Sequence, residues 1–303
     1  MSNSGTIGVV TVTYNSGQVL DGFLHSLIGQ TRSDFILYAV DNASRDNTLM
    51  LLKAWGDTRL RMIPNESNLG VAEANNQGTR AALAEGCNFV LYLNNDVEFE
   101  PDTFSTLVAE LDEHGCDLLA PKILFEDGVH IWSAGSTFNA LKGYLGAHIG
   151  EGEIDCGQFD MPRLIRNAPT CCLLSRAAVF DKIGMMDANY FVYHDDSDFL
   201  FRAWRAGLTM FYTPRARILH KVSSLTGGSK SVFTIRYNAR GHVYFMLKNL
   251  GIARCLFYLP ALQLRMVMKV LLRYISWDEF VVRERAFIEG ISVWLSRQRR
   301  QTT

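Results

Sequence analysis

Several features that would assign this chain of 303 residues to a common enzyme class are missing from its sequence. Neither a G-x-G-x-x-G fingerprint nor a G-x-x-x-x-G-K-[ST] loop follows the first predicted strand, which argues against a dinucleotide-dependent oxidoreductase and a P-loop enzyme. The six cysteines have neither zinc-site spacing nor a disulfide framework, so a reducing cytoplasm is the simpler expectation. The net charge is only −1, so no global field selects nucleic acid as a partner.

Long apolar runs are also absent, and no secretory leader is expected. No stretch of about 18 uncharged apolar residues occurs, so no membrane-spanning helix is expected. The short polar start leads directly into a strand, so no signal peptide is expected. Charge is unevenly distributed: residues 232–303 carry 12 Lys/Arg and 4 Asp/Glu, which is +8, and the remaining 18 basic and 27 acidic residues give −9. This asymmetry favours a tail that faces an anionic surface, or a solvated helical region.

Apolar strands that alternate with amphipathic helices predict an α/β fold. Strands are predicted at 6–14, 35–40, 60–63 and 89–93, with helices between them at 19–28, 48–55 and 70–85. This rhythm is typical of a parallel sheet with covering helices. Residues 125–169 are irregular, with many glycines and scattered aromatics, and no element is assigned there. A strand at 170–175 and further helices, the last at 278–297, follow.

Asp96 stands just beyond the strand Phe89–Leu93, whose residues are all apolar or aromatic. Ligands of open parallel sheets bind outside the carboxyl ends of the strands, and Mg²⁺ takes one or two carboxylates plus substrate phosphates. Asn94 and Asn95 add two amides beside Asp96. The pattern predicts a metal site, with a polar turn before the helix that Pro101 opens as the alternative.

Tyr14 and Asp41 lie at the ends of two neighbouring predicted strands. An aromatic ring there can stack on a base, and a carboxylate can hydrogen-bond a base edge or a ribose hydroxyl. The alternatives are strand-end packing for Tyr14 and a turn-opening carboxylate for Asp41.

Four polar segments follow one another along the chain: Thr11–Ser16 (TVTYNS), Val40–Thr48 (VDNASRDNT), Asn68–Gly78 (NLGVAEANNQG) and Leu93–Val97 (LNNDV). In this order they resemble the successive motifs of glycosyltransferase family 2, and most of all its bacterial rhamnosyltransferase-like branch. The likeness covers about residues 6–248. It implies a GT-A fold with a mixed, mainly parallel central sheet in residues 1–231, a helical extension in 232–303, and inverting transfer from a nucleotide-diphosphate sugar.

The resemblance also implies roles for individual residues in donor binding. The side chains implied to contact the donor nucleotide are Thr11, Tyr14, Asn15, Asp41, Asn68, Asn76, Asn94 and Asn95. Asp96 would be the metal-binding carboxylate of the family's D-x-D-type motif, and His220, at a strand exit, would complete a site for Mg²⁺ or Mn²⁺. Here the motif reads Asn94-Asn95-Asp96, so an amide replaces one carboxylate and adds no charge. A lone histidine after a strand can equally be structural.

Three carboxylates, Asp195, Asp196 and Asp198, fall within four positions at a predicted helix start. Capping and the helix dipole favour acidic residues there, but three crowded carboxylates exceed what capping requires. The family's matching sequence ends in Glu-Asp-x-Asp, which implies that Asp196 is the general base and that Asp195 takes the Glu position. Asp198 and Arg202 would hold the helix in place.

Residues 223–231 (SSLTGGSKS) are small and polar, which is typical of a mobile loop. Such a loop could close over the donor phosphates, with Lys230 supplying positive charge.

The expected function is transfer of rhamnose or a similar sugar from a dTDP- or UDP-sugar to a glycan or lipid-linked glycan in bacterial surface polysaccharide synthesis. The expected location is the cytoplasm, at the inner face of the cytoplasmic membrane. The amphipathic stretch 256–274 would contact the membrane peripherally, or would pack on the catalytic domain or in a homodimer.

Two other functions stay open at this point. A nucleotidyltransferase also uses an α/β fold with a carboxylate-bound metal, but the glycine- and basic-rich loop that it should carry after the first strand is missing. A non-catalytic sugar-nucleotide-binding scaffold is compatible with the altered D-x-D-type motif, but the acidic cluster at 195–198 argues against it.

Overall fold

The computed structural model describes residues 5–222 and 230–301. Strands and helices alternate through the first part of the chain, which confirms the α/β prediction. The elements up to residue 113 are β1 (Ile7–Thr13), α1 (Leu20–Ile28), β2 (Phe35–Asp41), α2 (Thr48–Trp55), β3 (Leu60–Pro64), α3 (Val71–Ala84), β4 (Phe89–Leu93), β5 (Val97–Phe99) and α4 (Thr103–Glu113).

The middle of the chain contains more strands than the sequence pattern indicates. Its elements are β6 (Leu118–Phe125), β7 (Ile131–Ser133), β8 (Ser136–Asn139), β9 (Leu145–His148), β10 (Arg163–Leu164), β11 (Cys172–Arg176), α5 (Ala178–Ile183), α6 (Asp195–Arg205) and β12 (Met210–His220). Between 125 and 169 the strands are only two to four residues long. Such short strands show too few alternations for a periodic pattern to emerge.

Ten of the described strands form one mixed sheet in the order β10-β12-β6-β11-β4-β1-β2-β3, with β5 paired to β12 and β7 to β6. The strands β4, β1, β2 and β3 run parallel, and β11 is antiparallel to both of its neighbours. The carboxyl ends of β1, β2 and β4 therefore open on the same edge, where an α/β sheet binds its ligand.

The sheet is buried on both faces, as the apolar run of β4 predicts. Phe89, Leu91 and Leu93 belong to one core cluster, and Val90 and Tyr92 belong to the other. The first cluster takes in apolar residues of α1 and α4, and the second takes in those of α3 and α6. Both clusters together hold the strand ends at fixed positions.

Three helices follow residue 230: α7 (Val232–Asn249), α8 (Ile252–Leu271) and α9 (Trp277–Gln301). Ser231 caps α7, since its hydroxyl accepts a hydrogen bond from the Thr234 N–H at 3.1 Å. A third apolar cluster joins Tyr190 and Phe201 of the sheet domain to the helical extension. None of the helices in the described ranges is long and apolar enough to cross a membrane.

Candidate active site

The exits of β1 and β2 are tied together around the buried carboxylate of Asp41. The Thr13 hydroxyl donates to Asp41 Oδ1 at 2.9 Å, the Ser44 N–H donates to Oδ2 at 2.9 Å, and the Ser44 hydroxyl donates to Oδ1 at 2.5 Å. Thr13 and Asp41 are also register partners in the sheet. These bonds hold the carboxylate in one orientation at the sheet edge.

Tyr14, Asn15 and Thr11 lie on the same β1 exit. Asn15 adopts a left-handed backbone (φ 51°), and its Oδ1 accepts the Arg45 N–H at 2.8 Å. The side chain of Tyr14 is 42% exposed, so its ring is accessible to a stacking partner. Thr11 is buried, and its hydroxyl has no hydrogen-bond partner among the described residues.

At the exit of β4, the two asparagines that precede Asp96 have different environments. Asn95 is buried, and its Nδ2 donates to the Val12 carbonyl at 2.6 Å and to the Ser16 hydroxyl at 3.1 Å. It therefore joins the β4 exit to the β1 exit. Asn94 is exposed, and its backbone N–H donates to the Cys171 carbonyl at 2.9 Å.

Asn76 and Asn68 flank the start of α3 in different ways. Both amide atoms of Asn76 are used by the Met186 backbone, in two hydrogen bonds of 2.9 Å. Asn76 thus connects α3 to the segment that leads into α6. Asn68 is exposed, and its Oδ1 accepts the Gly70 N–H at 2.9 Å.

Asp96 and His220, 124 positions apart in the chain, meet beyond the sheet edge. His220 pairs with Val97 where β12 runs antiparallel to β5, and its Nε2 lies 3.3 Å from Asp96 Oδ1. Both side chains are buried, and neither Asp96 Oδ1 nor His220 Nδ1 has a hydrogen-bond partner among the described residues. The edge of Trp132 packs on His220, with ring centroids 4.5 Å apart.

This pair fits a divalent cation that is shared with a substrate. A buried carboxylate oxygen without a hydrogen-bond partner is a suitable ligand atom, and an imidazole nitrogen lies beside it. Across residues 5–222 and 230–301, no group of three His, Cys, Asp or Glu side chains could hold a metal ion. The remaining ligands would therefore be donor phosphates and water, and the metal-binding role stays a prediction.

Asp195 and Asp196 begin α6 side by side in a low-polarity environment. Burial and then the charge of Asp196 raise the pKa of Asp195, and burial also raises the pKa of Asp196. Asp196 is the less buried of the two, accepts the Ser197 N–H at 2.6 Å, and is stabilised as an anion by nearby His148. These contacts favour the proton on Asp195 and the ionised form on Asp196, and the role of Asp196 as a general base stays a prediction.

The turn before these acids has an unusual backbone. Phe191, Tyr193 and His194 all adopt positive φ, at 68°, 61° and 64°, a conformation that costs free energy in non-glycine residues and clusters at functional sites. Gly70 and Gly241 permit the close approach that holds the turn, because a Cβ on Gly70 would lie 2.4 Å from the Phe191 carbonyl oxygen and one on Gly241 would lie 2.9 Å from the His194 ring.

Asp198 and Arg202 lie inside the protein behind the first turn of α6. Asp198 is fully buried and accepts hydrogen bonds from Lys248 at 2.8 Å and from Arg202 at 2.9 Å. Lys248 also binds Asp187 at 2.7 Å. Burial opposes ionisation of Asp187, but Lys248 and the Tyr244 hydroxyl outweigh it and lower the pKa of Asp187 to about 2.

Sequence reasoning missed several of these residues: Trp132, His148, Cys171, Asp187, Tyr244 and Lys248. Cys171 lies near both Asp96 and Asp196, because burial and then the charges of Cys172, Asp96 and Asp196 raise the pKa of its thiol. Trp132 and His148 could have been noticed in the sequence, because they are an aromatic and a basic side chain in an otherwise irregular, glycine-rich segment. Lys230 is exposed just before α7, and residues 223–229 of the predicted loop lie outside the described residues.

Comparisons with known proteins agree with this geometry. The sequence model described as Glycosyl transferase family 2 matches residues 8–183. The N-acetylglucosaminyl-diphospho-decaprenol L-rhamnosyltransferase of Mycobacterium tuberculosis is 27% identical over 262 residues, which cover 80% of this chain and 85% of the relative. The dTDP-rhamnosyl transferase RfbF of Shigella flexneri is 24% identical over 231 residues, covering 76% of this chain and 72% of the relative.

The fold is shared with solved structures. A crystal structure of GalNAc-T7 with UDP, GalNAc and Mn²⁺ superposes with a TM-score of 0.63 at 17% sequence identity, over 81% of this chain and 48% of that one. The GT-A fold with a C-terminal helical region is thus confirmed. The family match and the relatives identify a glycosyltransferase, rather than a nucleotidyltransferase or a non-catalytic scaffold. On its sequence match and its fold together, this chain belongs to glycosyl transferase family 2.

Proposed function

We propose that this glycosyltransferase moves rhamnose or a similar hexose from a dTDP- or UDP-sugar to a lipid-linked glycan, with inversion at the anomeric carbon. The observation that carries the proposal is the buried contact of Asp96 with His220 beyond the sheet edge, with the charges of Asp96 and Asp196 both reaching the buried thiol of Cys171. The names of the two relatives, which specify rhamnosyl transfer, support the sugar. The diphospho-decaprenol in the name of the M. tuberculosis relative supports a lipid-linked acceptor.

In the proposed reaction, Asp196 accepts the proton of an acceptor hydroxyl. The oxygen attacks the anomeric carbon of the donor as the nucleoside diphosphate departs from the opposite face. Asp198 is paired with Lys248 and Arg202. With Asp195 protonated, Asp196 would be the ionised acid without a lysine or arginine partner among the described residues, and burial raises its pKa, which makes it a better base. Removal of such a base commonly costs ~10²-fold or more in turnover.

The donor side is assigned to the strand exits. The exposed ring of Tyr14 would stack on the base, and the fixed carboxylate of Asp41 would accept a hydrogen bond from the base or ribose. Mg²⁺ or Mn²⁺ bound by Asp96 and His220 would offset the charge that develops on the leaving diphosphate. The Mn²⁺ and UDP present in the GalNAc-T7 structure support this choice of ion.

A peripheral membrane contact at the inner face of the cytoplasmic membrane is part of the proposal. One face of α8 exposes large apolar side chains, including Phe257 (72%), Leu264 (65%) and Leu271 (69%). Contiguous apolar patches of this kind mark membrane or protein contacts. The segment also belongs to the tail of charge +8, which favours an anionic leaflet over a second copy of the same cationic tail.

A transfer assay with defined donors and acceptors tests the proposed function. The enzyme is incubated with dTDP-rhamnose, UDP-glucose or UDP-N-acetylglucosamine and a short-chain prenyl-diphosphate-linked N-acetylglucosamine, with either Mn²⁺ or EDTA. We expect one hexose to be added from one donor in Mn²⁺ only, with inverted anomeric configuration by NMR. Donor hydrolysis without transfer to any lipid-linked acceptor would contradict the acceptor assignment, and undiminished transfer in EDTA would contradict the metal assignment.

A further inference from the structure

A cavity of about 420 Å³ lies between the helical extension and the sheet domain, next to α6. Its volume falls within the roughly 300–1,000 Å³ typical of ligand pockets. Much of its wall is apolar and comes from α7, α8 and α9, including Ile235, Val243, Leu262 and Phe287. The turn Ala140–Lys142 and the start of β9 close the opposite side.

Four cations line this basic cavity: Lys142, Arg265, Lys269 and Arg283. Glu284 is the acidic residue in the described lining, so the formal charge of the wall is +3. No carboxylate of a described residue lies within 4.0 Å of the charged groups of Lys142, Arg265 or Lys269. These three cations are therefore available to an anionic ligand.

Of the remaining charged groups of the wall, Arg283 is paired with an acid, Glu284 keeps its negative charge, and two histidines are neutral, so the net charge is +2 once the partner of Arg283 is counted. Arg283 binds Glu279 at 2.6 Å, and Glu284 accepts a hydrogen bond from Gln263 at 3.1 Å. Burial and the charge of His242 lower the pKa of His194 to about 3, and burial lowers the pKa of His242, so neither adds charge at neutral pH. The excess positive charge in the cavity thus comes from Lys142, Arg265 and Lys269.

The cations of the cavity wall are close enough to repel one another. Burial lowers the pKa of Lys269, and the charges of Arg265, Arg283 and Lys142 lower it further, against an opposing effect of Glu279. Because the three neighbours come from α8, α9 and the turn before β9, the like charges converge from three elements. Such crowding is unfavourable without an anion and becomes favourable when a multiply charged anion binds between them.

The basic cavity adjoins the proposed acceptor side of the active site. His194 lines the cavity and immediately precedes Asp195. Leu145 also lines it, and a Cβ built on the adjacent Gly146 would lie 3.6 Å from the hydroxyl of Ser197. A ligand in the cavity would therefore lie beside the first turn of α6, where Asp196 is located.

Helix α8 has two different faces. Leu262, Arg265, Met266 and Lys269, spaced at i, i+3, i+4 and i+7, face the cavity. The apolar residues exposed on the outside, among them Leu264 and Leu271, belong to the other face. Helix α8 therefore presents a basic and apolar face to the cavity and a separate apolar face to the outside.

We propose that the basic cavity binds the diphosphate and the first apolar segment of the lipid-linked acceptor, with Lys142, Arg265 and Lys269 around the phosphates. The occupant is a prenyl diphosphate, because the wall combines unpaired cations with an apolar lining. Lysine binds phosphate as a point charge, and arginine can bind two oxygens at once. This assignment rests on the proposed function, from which the sugar carried by the diphosphate is taken.

Direct binding of a soluble probe tests the cavity without a sugar donor or a bilayer. The probe is farnesyl diphosphate, and its two halves, farnesol and inorganic diphosphate, are measured separately for comparison. Binding is measured by calorimetry in the presence of EDTA and saturating dTDP, so that neither a metal nor the donor site contributes to the signal. We expect farnesyl diphosphate to bind tighter than either half. The double variant Arg265→Gln/Lys269→Gln should weaken it by ~10-fold or more, the scale of one charge-assisted hydrogen bond.

The matched control is Arg254→Gln/Arg285→Gln, which removes the same charge from exposed positions of α8 and α9 outside the cavity lining. It should change the dissociation constant by less than ~2-fold, since exposed distant charges are screened. Equal weakening in both double variants would indicate general attraction by the tail and would overturn the cavity assignment. If Arg265→Gln/Lys269→Gln fails to fold, Lys142→Gln, at an exposed position in the turn before β9, makes the same test.

The same variants separate this inference from the proposed function. If farnesyl diphosphate binding depends on Arg265 and Lys269 but no lipid-linked glycan accepts a sugar, the transfer proposal fails and the cavity assignment stands. If transfer occurs with the same KM for the acceptor in the cavity variant and the control, the cavity assignment fails and the transfer proposal stands.

Discussion

Asp198 is the buried anion that joins helix α6 to the helical extension. It is fully buried and accepts hydrogen bonds from Arg202, Lys248, Asn249 and Tyr190, at 2.9, 2.8, 2.8 and 3.2 Å. Removing one partner of a buried ion pair typically costs about 3–5 kcal/mol, because the other charge loses its compensation. The substitution Asp198→Ala is therefore expected to destabilise the protein strongly.

The structure favours the lower end of that range. After the substitution, Lys248 keeps its 2.7 Å contact with Asp187, and Arg202 keeps its hydrogen bond of 2.8 Å to the Met185 carbonyl. We therefore expect a loss of about 3 kcal/mol for Asp198→Ala. At roughly 2 °C per kcal/mol for a chain of this size, Tm should fall by about 6 °C.

Thermal unfolding followed by circular dichroism measures this loss, with Asp181→Ala at an exposed position of α5 as the control. The double variant Asp198→Ala/Lys248→Met should lose less than the sum of the two single variants, by about 1 kcal/mol or more, because the residues act as a pair. If the Tm of Asp198→Ala stays within the shift of the control, the ion cluster does not stabilise the contact between α6 and the extension.

Three further predictions concern titration, metal and membrane. Asp195→Asn should become more stable relative to the wild type as pH rises from 4 to 8. Folding raises the pKa of Asp195, so the folded wild-type protein loses stability as this carboxyl ionises, whereas asparagine does not ionise. A difference in Tm that does not change with pH would contradict this. Asp96→Asn and His220→Gln should each abolish the increase in UDP or dTDP affinity that Mn²⁺ causes, and a retained Mn²⁺ effect in calorimetry would exclude the pair as ligands. Leu264→Ser/Leu271→Ser should reduce sedimentation with anionic vesicles at low salt, whereas a loss of dimer in analytical ultracentrifugation with unchanged vesicle binding would identify a subunit interface.

Much of the fold could be predicted because its central strands carry strong local patterns. In β1, β2 and β4, nearly all residues are apolar or β-branched, and the helices between them have clear apolar faces. Residues 125–169 could not be assigned, because β7, β8, β9 and β10 are only two to four residues long and show no period. In addition, β10 forms only by pairing with β12, about 50 residues further along the chain. Long-range pairing is not encoded in local periodicity.

The positions of the candidate site residues could be predicted where they follow a strand. Tyr14, Asp41 and Asp96 fall at strand exits that the parallel sheet brings to one edge. The contact of His220 with Asp96 depends on the antiparallel pairing of β12 with β5, which the sequence pattern does not reveal. The basic cavity depends on how the extension packs, and the spacing of Arg265 and Lys269 predicts only that both lie on one helix face.

Comparison of Asp196→Asn with Asp195→Asn in the transfer assay tests the central assignment most directly. Both variants replace one carboxylate of the same pair with an amide of nearly the same size, so their comparison tests which of the two residues accepts the proton. We expect Asp196→Asn to lower turnover by ~10²-fold or more, with donor affinity unchanged, and Asp195→Asn to retain most of the activity. An active Asp196→Asn together with an inactive Asp195→Asn would move the base by one position and contradict the account.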